Sequence, residues 1–375
     1  MTSALPPPTG PHAVGRTVRD WTDHKRTDPY AAEPSEPRSL VTWIWYPCGP
    51  SPAAPADYLP AAWDPVAQML GIRAKGLKSR SVDAAPPADS HEAYPVVFLS
   101  PSGFPPLLLS GTAEELASHG FVVVGVNHTY ETAVTVFTDG RVVPMNPAAI
   151  AGALGPQAGA HRQVFARRAD VCRYKAEDLA FLADRLAALD HDDPLAGRLD
   201  LGRLTAMGHS FGGVAAMQWC RDDPRCTAAV NLDGAVWTDV GRLGVPRPVL
   251  QVLAPHPEFD IAPEAAVAAG MAPDPEWFAA EKAIAVDGWA AVQRNGRPTH
   301  TFEIAGASHL SFMDIAFLPL APDSPVRPML DRTAIEPGRM LAATTTLVRA
   351  FLTGQDMAGI PLPAPAVRLF GRSEM

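Results

Sequence analysis

The strongest constraint on this chain is a series of short, continuous apolar runs separated by helix-like stretches. Residues 95–100 (PVVFLS), 121–127 (FVVVGVN), 204–207 (LTAM), 227–232 (TAAVNL), 248–254 (PVLQVLA) and 300–305 (HTFEIA) are strand-like, and several of them are such runs. Residues 41–47 (VTWIWYP) add β-branched and aromatic side chains. A strand covered on one face alternates polar with apolar, whereas a strand covered on both faces reads as an unbroken run. Helical patterns fall between them, at residues 112–118, 162–189, 213–220 and 339–352, and Leu179, Leu182, Leu186 and Leu189 form an apolar stripe. Strands alternating with helices predict a mainly parallel central sheet with helices on both faces. Residues 135–144, centred on Asp139-Gly140, predict a hairpin. Residues 263–295 break the rhythm and predict a helical insertion before the last strand, either a cap near the site or an ordinary helix on the sheet.

Composition narrows the class. In 375 residues, 47% are hydrophobic and 19% charged, enough to bury a large core. The formal charge is -9, and no basic run is interleaved with aromatics, so nucleic acid is not an expected partner. Many of the 40 prolines fall in residues 1–37 and 47–65, which predict coil rather than strand. This gives a proline-rich, partly coil extension at 1–37, a main domain at 38–355 and a tail at 356–375. Cys48, Cys172, Cys220 and Cys226 form no CxxC pair and no disulfide framework, so free thiols and no metal site are expected. No cofactor is called for. The first residues lack a charged and apolar leader, and no window is long enough to span a membrane, which predicts a cytoplasmic protein.

The chemistry is concentrated at Gly208-His209-Ser210-Phe211-Gly212, followed by Gly213. The pattern G-x-S-x-G is common by chance. Here an apolar run leads in and a helix-competent run leads out, which is the context of a nucleophile elbow in an α/β-hydrolase fold. Glycines on either side allow strand and helix to approach closely, and the helix N-terminus aims free N–H groups at the reacting oxygen. Read instead as a structural residue, Ser210 would cap the following helix.

A serine nucleophile needs a base near neutral pKa, and the order in this fold is serine, acid, histidine. His309 follows the run 300–305 in a loop at the carboxyl end of a strand. His300 begins that run, at the opposite edge, and His256 comes too early if the acid follows it. Two acids compete. Asp233 ends the run after the elbow, and Asp260 follows the next one, the commoner place for the acid. The oxyanion requires two N–H donors. The amide of Phe211 is one candidate. The other is Phe104, with Gly103 next, in the turn after residues 95–100. Residues 104–109 (FPPLLL) form an apolar run beside that turn. Leu107 there is a candidate substrate-binding residue or part of a transient lipid-surface contact; the plainer reading is a buried helix start. Tyr46, Trp237, Phe312 and Met313 are further pocket-lining candidates, with core packing as the alternative for each.

Together these segments resemble the platelet-activating factor acetylhydrolase family and its bacterial esterase relatives. The resemblance is carried by residues 94–100 with Gly103-Phe104, by 116–121 (LASHGF), by 208–213 (GHSFGG), by Asn231-Leu232-Asp233-Gly234 and by Ser308-His309. It spans roughly residues 9–352. It implies an α/β-hydrolase fold and a calcium-independent serine carboxylic ester hydrolase acting on short acyl chains, such as a phospholipid sn-2 acetyl group. It also implies Ser210, Asp233 and His309 as the triad. Two departures stand out: Ser102-Gly103 replaces the usual His-Gly of the oxyanion loop, and the insertion at 263–295 is longer. A polyester or cutinase-like hydrolase with Asp260 as acid, a lipase and a non-enzymatic binding module are the alternatives.

Overall fold

The computed structural model describes residues 5–89, 93–149, 160–296, 298–330 and 333–369. The strands are β1 (Ala13–Thr27), β2 (Pro37–Cys48), β3 (Val82–Asp83), β4 (Tyr94–Ser100), β5 (Val122–Asn127), β6 (Val134–Val136), β7 (Val142–Pro144), β8 (Leu199–His209), β9 (Cys226–Leu232), β10 (Val249–Leu253), β11 (Thr299–Ile304) and β12 (Ala366–Leu369). Ten of them form one sheet in the order β12-β11-β10-β9-β8-β4-β5-β2-β1-β3. The centre, from β11 to β5, is parallel. Strands β2 and β12 run antiparallel to their neighbours, so the sheet is mixed. The hairpin expected at 135–144 forms as β6 and β7, a separate two-stranded sheet.

Side-chain alternation divides the core. Val97 and Leu99 of β4 join one buried cluster, with Leu116 and Leu347 from the helices Ser110–Ser118 and Pro337–Leu352. Val96 and Phe98 join the other, with Leu179 and Met217 from the helices His161–Ala187 and Phe211–Asp222. Successive residues of a strand point to opposite faces, so helices cover both faces of the sheet. Both faces are dry, which explains the unbroken apolar runs.

Three expectations are corrected. Within residues 1–37, residues 13–27 are not coil but the long strand β1, paired with β2 from Ala13↔Cys48 to Asp23↔Arg38. The prolines flank this segment and none lies within it. Its polar residues disguised it: Arg16 is buried against the Trp43 ring at 4.9 Å and paired with Asp83 at 2.8 Å. At the other end, residues 366–369 of the expected tail close the sheet as β12, so the helical insertion precedes β11 rather than the last strand. Residues 1–4 and 370–375 lie outside the described residues. Finally, Leu107, Leu108 and Leu109 are fully buried in a 3-10 turn, Pro106–Leu109, that packs into the sheet core. Leu107 is therefore part of the core, as the plainer reading of this run expects.

The insertion is helical, with Pro263–Ala268, Pro275–Lys282, a π-turn Ala283–Asp287 and Gly288–Asn295. Asp274 starts the second helix by accepting from Trp277 N at 2.6 Å. Trp277 and Phe278 then pack on Val164 and Phe165 of the helix His161–Ala187. Among the described residues no helix is long and apolar enough to cross a membrane.

Candidate active site

The carboxyl ends of β4, β8, β9, β10 and β11 meet at one edge of the sheet, where parallel sheets carry their ligand sites. Ser210 sits between β8 and the helix Phe211–Asp222 at φ 57°, ψ -125°, a conformation that L side chains rarely adopt. Two glycines make the turn feasible. A Cβ on Gly208 would lie 2.2 Å from the Gly212 carbonyl carbon, and one on Gly212 would lie 1.8 Å from the Ser100 carbonyl oxygen. The first turn of the helix is thus pressed against the end of β4. The loop carrying Ser102, Gly103 and Phe104 starts there, beside the first amides of the helix, which have no intrahelical acceptor.

Asp233 directly follows β9, at φ 56°. Its backbone N–H donates to Val252 O at 2.9 Å, which locks it to β10. Its side chain is wholly buried, and Oδ2 accepts from His309 Nδ1 at 2.7 Å. The second oxygen, Oδ1, accepts from Ala254 N at 2.9 Å and from His256 Nε2 at 2.9 Å. Burial alone would raise the carboxyl pKa. The hydrogen bonds from His256 and His309, with their charges, overcome that and hold it well below the usual carboxylate range.

His309 begins the 3-10 turn His309–Phe312, closed by a capping box between Ser308 and Ser311. Its carbonyl accepts from His209 Nε2 at 2.8 Å, and the two rings lie 4.5 Å apart. A carbonyl only accepts, so His209 carries its proton on Nε2. Burial and the neighbouring His309 push its pKa down to about 3, which keeps it neutral. His209, one residue before Ser210, therefore ties the elbow to the His309 loop.

Ser210, Asp233 and His309 line one cleft of about 360 Å³ with Phe211, Trp237, Phe259, Phe278 and Trp289. Aromatic rings face one another across it: Phe211 lies 6.3 Å from Trp237, and the Arg168 guanidinium stacks over Trp237 at 4.4 Å while pairing with Glu281 at 2.8 Å. The insertion contributes Met271, Phe278, Glu281, Ala285 and Trp289 to the wall.

Other candidates lie elsewhere. Asp260 is an exposed residue ending the 3-10 turn Pro257–Asp260 and takes no part in the bond to His309 Nδ1. Phe312 is buried and stacks near His209 at 6.0 Å, so it is core rather than pocket. Tyr46 and Met313 are likewise buried, and Tyr46 donates its hydroxyl to Ala85 O. Trp237 does face the cleft. Gly103 and Phe104 are partly exposed and outside the residues lining the cleft. Gly103 is anchored by its carbonyl, which accepts from Ala133 N at 3.0 Å. Sequence reasoning set aside His256, which sits directly on Asp233. The available signal was His256-Pro257-Glu258 immediately after a strand's carboxyl end.

Behind the Gly103 loop lies a buried ionic cluster. Asp178 accepts from Arg38 Nη2 at 2.6 Å and from His128 Nδ1 at 2.8 Å, and His128 Nε2 meets Ser100 Oγ at 2.9 Å. Lys175 Nζ donates to Glu131 at 3.0 Å and to the Ser102 carbonyl at 3.2 Å. Among the described residues, His128, Glu131 and Asp178 are the group with metal-ligand spacing. Arg38 and Lys175 already neutralise those carboxylates, so the chemistry is that of an ion-pair network. All four cysteines are free and buried.

No family model matches the chain. It is 26% identical over 274 residues to a probable 1-alkyl-2-acetylglycerophosphocholine esterase of Arthroderma benhamiae, covering 66% of this chain and 64% of the relative. It is 28% identical over 167 residues to the platelet-activating factor acetylhydrolase of Cavia porcellus, and 26% over 158 residues to that of Bos taurus. These two matches cover 39% and 38% of this chain and 36% and 35% of the relatives. The matched part thus spans less than two thirds of each of these relatives. Their names are those of the family suggested by the motifs. A ferulic acid esterase from Streptomyces cinnamoneus superposes with a TM-score of 0.75 at 24% identity, covering 97% of this chain and 98% of that one. That likeness shows a shared fold of a mixed sheet flanked by helices.

Proposed function

We propose that this chain is a serine carboxylic ester hydrolase of the α/β-hydrolase fold, working through an acyl-enzyme on Ser210. The observation that carries this reading is the 2.7 Å bond from His309 Nδ1 to the buried Asp233, on a cleft shared with a strained serine. Ser210 Oγ attacks the ester carbonyl while His309 Nε2 takes its proton. Asp233 fixes the imidazole tautomer and stabilises the imidazolium that forms. The amides of Phe211 and Phe104 receive the oxyanion, and the elbow's approach to the end of β4 supports that pairing. His309 then gives the proton to the leaving alcohol. Water, deprotonated by His309, releases the acid and frees Ser210.

The substrate class is a short-chain acyl ester. A cleft of about 360 Å³ walled by aromatic rings suits a small apolar acyl group. The names of the three relatives add the sn-2 acetyl ester of an ether phospholipid as a candidate. The test is Ser210→Ala assayed on p-nitrophenyl acetate, together with labelling by a fluorophosphonate probe. Turnover should fall by on the order of 10⁶-fold and labelling should vanish. Wild-type turnover in Ser210→Ala would end the proposal. A series of acyl lengths on aryl and glycerophospholipid esters then sorts the substrates.

A further inference from the structure

Asp233 carries two imidazoles, and only one belongs to the acid-base relay. His256 approaches Oδ1 through Nε2 at 2.9 Å, on the side opposite His309. Its other nitrogen, Nδ1, meets Glu258 Oε1 at 2.8 Å. Both ring nitrogens face carboxylate oxygens, and only the doubly protonated ring can donate to both. The ring is held against Trp289 at 5.1 Å and Phe259 at 5.9 Å.

From this geometry we infer that His256 is a positioning residue for the reaction at Ser210: wedged between Asp233 and Glu258, it sets the Asp233 carboxylate so that Oδ2 faces His309. The inference rests on the reading of Asp233 as acid and His309 as base. A carboxylate on a single bond can turn about that bond, and a buried oxygen without donors costs heavily. His256 and the Ala254 amide both end on Oδ1. With that oxygen filled twice, Oδ2 is the one left for His309. Glu258 on its own turn and Asp233 after β9 bond His256 directly, His309 lies beyond Asp233, Asp260 ends the same turn, and Lys282 donates to the carbonyl of the neighbouring Phe259. The Arg168–Glu281 pair lies on the wall of the same cleft. Burial disfavours charge on His256, but its bonds to Asp233 and then Glu258 outweigh this and push its pKa up to about 10. The fixed cation has a second effect. It shares the Asp233 charge with the imidazolium that forms on His309, so its removal should make that imidazolium easier to form.

The experiment compares wild type, His256→Ala, His256→Gln and Glu258→Gln, using kcat and KM for p-nitrophenyl acetate from pH 5 to 9. In parallel, the downfield Nδ1 proton of His309 is followed by NMR in the resting protein, and circular dichroism reports folding. His256→Ala should lower kcat by roughly 10- to 100-fold with KM within about twofold, as misorientation does. The acid limb of kcat/KM should move to higher pH, and the NMR line should shift. Glu258→Gln leaves an amide oxygen to accept from Nδ1 and leaves the cation on Asp233, so the limb should move little and kcat should fall less than in His256→Ala. His256→Gln keeps a donor for Oδ1 without the charge, so it should recover most of kcat while the limb stays displaced. If His256→Ala is folded and matches wild type in kcat, limb and NMR line, the inference is wrong. A loss of kcat that only tracks the folded fraction, with limb and line unmoved, also overturns it. The NMR line does not depend on turnover. Failure of the Ser210 reading, seen in Ser210→Ala, is therefore separable from failure of this one.

Discussion

Two histidines in this protein each hold a buried aspartate, and their surroundings drive them in opposite directions. His128 meets Asp178 at 2.8 Å, and His256 meets Asp233 at 2.9 Å. Burial and the nearby Lys175 push the pKa of His128 down to about 3, against the pull of Asp178. Burial acts on His256 too, but Asp233 and Glu258 together push it up to about 10. The first cluster already contains the cations Arg38 and Lys175, so a third is disfavoured. The second has two carboxylates around one ring. The charge of a histidine on an aspartate is thus set by the other charges around the pair. The two clusters also serve different ends. The wholly interior one braces the end of β4 and the Ser102 carbonyl, behind the loop proposed to receive the oxyanion. The other opens onto the cleft, where His309 is about 38% exposed and available to a substrate.

The sharpest way to test that division is to neutralise each aspartate. Asp233→Asn should lower kcat by about 10⁴-fold, because the amide favours the wrong His309 tautomer, while urea unfolding changes far less. Asp178→Asn should do the reverse. It takes from the buried Arg38 one of its two close carboxylates and leaves Asp28 at 2.8 Å, and urea denaturation should show a loss of roughly 3 kcal/mol. A large stability loss in the first variant and a small one in the second would erase the contrast.

Stability against pH separates the two histidines next. The folded pKa of His128 lies below its ordinary value of 6.5. Its contribution is therefore complete above about pH 6.5 and is lost as pH falls towards 3, because only the unfolded chain takes up the proton. Asp178, also held low, adds to this loss below its ordinary 3.8. His256 is raised, so its contribution is complete below about 6.5 and is lost as pH rises towards 10. In urea titrations from pH 4 to 10, His128→Gln should flatten the acid slope, and His256→Gln the alkaline one. Equal slopes in both variants would contradict the charge assignment. The smallest effect belongs to Asp260→Asn. That carboxylate is exposed and away from His309 Nδ1, so kcat should stay within about twofold of wild type.

Several elements were legible because their signals are local. The dry parallel strands β4, β5, β9 and β10 announce themselves as apolar runs, and the crowded turn at Ser210 demands glycines at 208 and 212. Strand β1 was not legible, because its inward Arg16 is neutralised by Asp83 from a distant segment. The apolar run at 104–109 was ambiguous for a related reason. Nothing within it says whether the sheet or the solvent receives Leu107, Leu108 and Leu109, and the sheet does.

By itself the sequence determined the strand and helix alternation, the elbow around Ser210 and a histidine loop after a late strand. These follow from short-range sterics and burial, which act between residues close in the chain. Spacing alone left Asp233 and Asp260 open and the motif resemblance implied Asp233, but only the tertiary structure decided that a second imidazole, His256, shares that carboxylate with His309. The reason is that β9 and β10 pair in parallel, which brings residues 233, 254 and 256 together across a connection whose length fixes nothing. Charge states were decided at the same level, because a proton responds to the summed field of every neighbour, near or far in sequence.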